Sequence, residues 1–129
     1  MNRFADALPV ESYAVYEMRD LVEQFDKGDK QVLSALERHY QTVLNAATAA
    51  EPIFAANVAS VDTVAVTKAT KKIAELGLTL VAKAQTGEVI SKADSNAYQG
   101  MINESAIIID ETIVAIVKPT EMLLEALSE

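Results

Sequence analysis

A chain of 129 residues, half of them hydrophobic, can bury about two-thirds of its unfolded surface without a metal or disulfide staple. It has no cysteine, which excludes a disulfide framework, thiol catalysis, iron–sulfur clusters and cysteine-based zinc sites. The net charge of −8 is unevenly spread, at −4 over residues 1–60, +2 over 61–92 and −6 over 93–129, so any basic surface is confined to the middle of the chain.

Residues 1–9 read as a lead-in, with Phe4 and Leu8 as anchors. The first helix is predicted over about 10–26, with Val15, Met18, Leu21, Val22 and Phe25 as its apolar stripe. Glu17, Asp20 and Glu23 fall off that stripe and form an acidic face offset only by Arg19. Lys27 and Gly28 supply the last-turn cation and the left-handed residue that close a helix. Asp29 then caps a second helix over about 30–50, with Val32, Leu33, Leu36, Tyr40, Val43, Leu44 and Ala47 facing inward. So short a connection predicts an antiparallel hairpin. Pro52 predicts a kink, with the extension running on to about 60.

Asp62 is the expected cap of a third helix over about 63–85, with Val66, Ala69, Ile73, Leu76, Leu80 and Ala84 inward. Gly77 in its middle reads as a close helix crossing. Lys68, Lys71, Lys72 and Lys83 make the chain's one basic face, without an arginine or aromatic residue among them. That argues for a solvated face partly paired with acids and against direct nucleic-acid binding. Thr86 and Gly87 end the helix, and Ser91 with Asp94 opens a fourth in the manner of a capping box.

The fourth helix is predicted over 92–117. Ile102, Ala106, Ile109, Ile113 and Ile116 follow one another at spacings of four, three, four and three, a single helical seam. The spacing continues past Pro119 through Thr120, Leu123 and Leu127, on a last short helix over 119–127. Two strands meeting near Asp110 and Glu111 compete with this reading, because isoleucine and valine are strong β-formers. No glycine, asparagine or proline marks a hairpin turn there, so the helix is preferred. The expected architecture is all-α: one domain over 1–129, an up-and-down four-helix bundle with a short additional C-terminal helix.

Chemistry is sparse. His39 is the only histidine, which denies the chain the paired Glu-x-x-His motifs of di-iron bundles and leaves no supported metal site. No phosphate-binding loop, dinucleotide fingerprint or nucleophile elbow is present, so no cofactor and no enzyme activity are expected. No 18-residue window is free of charge and no leader is visible, giving no membrane span and a cytoplasmic expectation.

The leading expectation is a non-enzymatic, acidic interaction module, homo-oligomeric, acting as adaptor, chaperone or phage-type inhibitor of another protein. Two surfaces carry it: the apolar seam of Ile102, Ile109, Ile113, Ile116, Leu123 and Leu127, and the acidic face of Glu17, Asp20, Glu23, Asp110 and Glu111. Asp26, Glu121 and Glu125 extend the acidic set. The first alternative is a ligand-sensing helical module of a bacterial receptor. The second rests on a lone histidine: in size and helix count the chain resembles histidine-phosphotransfer domains, which implies a phosphoryl-accepting role for His39. That family follows its histidine with a small or apolar residue, a lysine and a glycine, whereas His39 is followed by Tyr40, Gln41, Thr42 and Val43.

Overall fold

The computed structural model describes residues 17–56, 61–108 and 111–128, with the side chains at 54–56, 61–63, 111–112 and 114–115 excepted. Among these residues the protein is all-helical. Its helices are α1 (17–26), α2 (Val32–Ala56), α3 (Val61–Gln85), α4 (Lys92–Ala106) and α5 (Glu111–Leu127). Among the described residues the one strand-like pairing is an isolated parallel bridge between Ile90 and Ser128.

Local chemistry sets the helix ends. Gly28 and Gly87 adopt φ of 108° and 76°, the left-handed region in which a Cβ is costly, and so close α1 and α3. Asp29 Oδ1 accepts from the Gln31 amide at 3.0 Å just ahead of α2. Ser91 Oγ accepts from the Asp94 amide at 3.2 Å and caps α4. Asp62, expected as the cap of the third helix, instead lies inside it, because α3 already includes Val61.

α2 and α3 run antiparallel as a hairpin. Glu37 near the start of α2 accepts from Gln85 at the end of α3, and Glu51 pairs with Lys71 at 3.7 Å toward the other end. Between them Tyr40 lies across Gly77, and a Cβ built on Gly77 would overlap its ring. The glycine is therefore the close crossing that the pattern suggested. The Tyr40 hydroxyl continues to Thr120 Oγ1 of α5, 2.9 Å away. Thr120 spends its own proton on the Ile116 carbonyl at 2.8 Å, so Tyr40 is the donor. One side chain thus ties α2, α3 and α5 together. Burial pushes its phenol well above the ordinary value, with the Thr120 bond pulling the other way.

The main core gathers Met18 and Val22 of α1, Leu36, Tyr40 and Val43 of α2, Ile73, Leu80 and Val81 of α3, Ile102 of α4, and Ile113, Ile116 and Leu123 of α5. A smaller cluster of Ala47 and Ala50 against Val64 and Val66 continues toward the far end of the hairpin.

The C-terminal third departs from expectation. The predicted helix over 92–117 is two helices, and Pro119 stands inside α5 rather than before a separate short helix. α4 and α5 form an antiparallel pair, with Ser95 Oγ 2.8 Å from Ser128 Oγ and Gln99 reaching Glu121 at 3.5 Å. The break falls where the rejected strand reading placed one, in an isoleucine run without a turn residue. Folding α4 back lets Ile102 and Ile113 enter one core, a gain that outweighs local propensity. α2 likewise continues through Pro52 to Ala56, while 57–60 lie outside the described residues.

Candidate functional site

The apolar seam is buried at its described residues. Ile102, Ile113, Ile116, Leu123 and Leu127 are all buried inside the chain's own core, and Ile109 lies outside the described residues. At its described residues the seam expected to bind a partner faces the chain's own helices in the hairpin of α4 and α5. Ala106, which the spacing also assigned to the seam, is exposed.

The acidic residues divide. Glu17, half-buried, holds His39 Nε2 at 3.1 Å and so fastens α1 to α2. Asp20 accepts from Gln24 on its own helix at 2.8 Å. Glu23 and Asp26 are exposed, and among the described residues no lysine or arginine pairs with either. Asp110 lies outside the described residues, as does the side chain of Glu111, the first residue of α5.

Glu23 and Asp26 meet Glu125 of α5 around a groove of about 350 Å³, whose floor is Val22, Met122 and Ala126. The stripe on α1 puts Val22 inward, so the residues one and four positions on come to its rim. α5 does the same with Leu124 and Glu125. Three carboxylates thus line a groove with an apolar floor, none of them paired with a lysine or arginine among the described residues, and their fields add over the ~10 Å at which salt screens them. Periodicity could place each acid on an outer face. It could not show that α1 and α5 are neighbours, so nothing in the spacing marks Met122 and Ala126 as a groove floor.

Two further grooves border the molecule. One, of about 550 Å³, is lined by Glu17, Asp20, Leu21, Ala35, Arg38, His39 and Thr42. His39 is a constituent of this wall: its side chain is 22% exposed and its Nε2 is engaged by Glu17. The other, of about 390 Å³, lies between α3 and α4 with Ile73, Leu76, Tyr98 and Met101 among its lining residues. The lysine face of α3 is partly paired, Lys71 with Glu51 and Lys83 with Glu88 at 3.8 Å.

Three buried hydroxyls bond within their own helices. Thr70, Ser105 and Thr120 donate to the carbonyls of Val66, Met101 and Ile116 in the preceding turn. Among the described residues no group of three or more histidine, aspartate or glutamate side chains could hold a metal ion, and no helix is long and apolar enough to cross a membrane. No family model matches the chain, and neither does any curated protein or solved structure.

Proposed function

We propose that the protein is a non-enzymatic interaction module, its five helices packed as an up-and-down bundle, that binds a basic amphipathic segment of another protein in the groove between α1 and α5. One observation carries this reading: Glu23, Asp26 and Glu125 ring an apolar floor of Val22, Met122 and Ala126. A helix or extended peptide with a single apolar anchor flanked by lysine or arginine fits both features. The anchor would displace water from Met122 and Ala126, and the flanking cations would meet carboxylates that lack a lysine or arginine partner among the described residues. The negative charge of the whole chain would speed the encounter and make it sensitive to salt. Such a contact suits an adaptor, a chaperone or an inhibitor that occupies another protein's basic surface.

The test is titration of the full chain with a short amphipathic leucine–lysine peptide, beside a leucine–glutamate peptide of the same pattern. The lysine peptide should bind at low salt and weaken as salt rises, and the glutamate peptide should not bind. The combined Glu23→Lys, Asp26→Lys and Glu125→Lys variant, folded by circular dichroism, should lose about tenfold or more in affinity, the scale of a few close charge pairs. Equal binding by the variant and the parent would defeat the proposal.

A further inference from the structure

We propose that the outer face of α4 is where two copies of this chain meet, the two helices lying antiparallel about a two-fold axis. The large hydrophobic side chains left exposed among the described residues are Val89, Met101 and Ile107, at 67%, 49% and 78%, and all three belong to α4 or its flanks. Exposed apolar side chains scattered over a surface need no account, but their gathering on one helix marks a contact. Helical periodicity supplies the rest of this face. With Ile102 and Ser105 buried, Ala93, Ala97, Gly100 and Glu104 come round on the opposite side, and all four are exposed. Met101 flanks them on the side of α3, where it joins Ile73, Leu76 and Tyr98 in lining the groove of about 390 Å³.

The occupant follows from how this face is arranged along the helix. Val89 and Ile107 stand equidistant from Tyr98 at the two ends, and so do Lys92 and Glu104. A second copy turned end for end about the middle of α4 therefore sets Val89 of each chain against Ile107 of the other, and Lys92 against Glu104, each contact made twice. Parallel pairing would instead set Lys92 on Lys92 and Glu104 on Glu104. The net charge of −8 makes two copies repel, so a self-contact needs such local opposites. Asp94 falls opposite Asn103 in the same register, away from any second carboxylate. Ala97 and Gly100 come to the crossing, each over the other. Gly100 has nothing within 4 Å of the place its Cβ would take, so within one chain no contact requires a glycine there. A close approach of two backbones does, and the molecule already uses a helical glycine in this way at Gly77, which admits the Tyr40 ring.

Sedimentation equilibrium of the full chain, up to about 1 mM, reads the contact directly. The chain should exchange reversibly between monomer and dimer. A monomer throughout, leaving the face to some other protein, overturns the proposal. Gly100→Leu distinguishes a close crossing from loose apolar adhesion. The site is open in the single chain and leucine favours a helix, so the variant should stay folded by circular dichroism. At the crossing its side chain holds the backbones apart and should weaken the dimer about tenfold or more. Unchanged or stronger association contradicts the crossing. Lys92→Glu and Glu104→Lys should each weaken the dimer about fivefold, and the two together should restore it, because the exchanged charges again meet as opposites. A double variant no better than the single ones overturns the antiparallel register. The experiment needs no peptide and the face lies outside the groove between α1 and α5, so its outcome is separate from that of the basic-peptide titration.

Discussion

α4 and α5 share one apolar spacing and have opposite places in the fold. α5 buries Ile113, Ile116, Val117, Thr120, Leu123, Leu124 and Leu127, whereas α4 buries only Ile102 and Ser105. α5 lies against α3 and α4 and takes the Tyr40 hydroxyl from α2, so it has neighbours on several sides. α4 lies on the outside with Asp94, Asn96, Gln99, Asn103 and Glu104 along its polar positions. Spacing identifies a face on a helix. How much of the rest is covered depends on where the chain turns, and here it turns inside an isoleucine run.

The largest break in this comparison should come from α5. Leu123→Ala removes a fully buried side chain from the centre of the core and should cost about 2–5 kcal/mol, read from urea melts. A cost below about 1 kcal/mol would mean that α5 is not the core helix described.

Two glycines give the next contrast, with opposite signs. Gly77→Ala on α3 drives a Cβ into the Tyr40 ring, which burial and the Thr120 bond hold in place, and should destabilise by about 1–3 kcal/mol despite alanine's helix propensity. Gly100→Ala on α4 meets nothing within 4 Å. It should stabilise by about 0.5–1 kcal/mol, the propensity gain alone. Thermal melts of the two variants would expose any error in which helix is covered.

A smaller effect distinguishes the tie to α5 itself. Tyr40→Phe removes the bond to Thr120 and should cost about 0.5–1.5 kcal/mol near neutral pH. Because the folded phenol is held above its ordinary value of 10.0, its contribution is fully present below that pH. It is lost as pH rises, when the unfolded chain gives up a proton that the folded chain retains. The stability gap between parent and variant should therefore shrink, and can reverse, above pH 10. A gap that stays constant through the alkaline range would place the Tyr40 hydroxyl in water.

Much of the fold was legible where local chemistry and burial agree. Gly28, Gly87 and Ser91 terminate or cap helices for reasons confined to a few residues, and the inward positions of α2 and α3 follow a period that tertiary packing did not override. Gly77 was legible as a crossing, though not that Tyr40 is what crosses it. The turn after Ala106 was not legible, because nothing local demands it: it exists through contacts between Ile102 and residues on other helices. The same gap explains the site. Glu23 and Asp26 could be placed on an acidic face, but their meeting with Glu125 depends on α1 lying beside α5. Reading residues 92–117 as one straight helix left more apolar surface than a single seam could bury, and the fold-back of α4 on α5 is what encloses it.

Native-state hydrogen exchange, followed amide by amide through residues 92–127, tests the division between the two helices most directly. With α5 in the core and α4 outside, the amides of α5 should exchange only with global unfolding, and those of α4 through smaller local openings. Uniform protection running from α4 through 107–110 into α5 in a monomeric sample would show one helix, and would contradict the account.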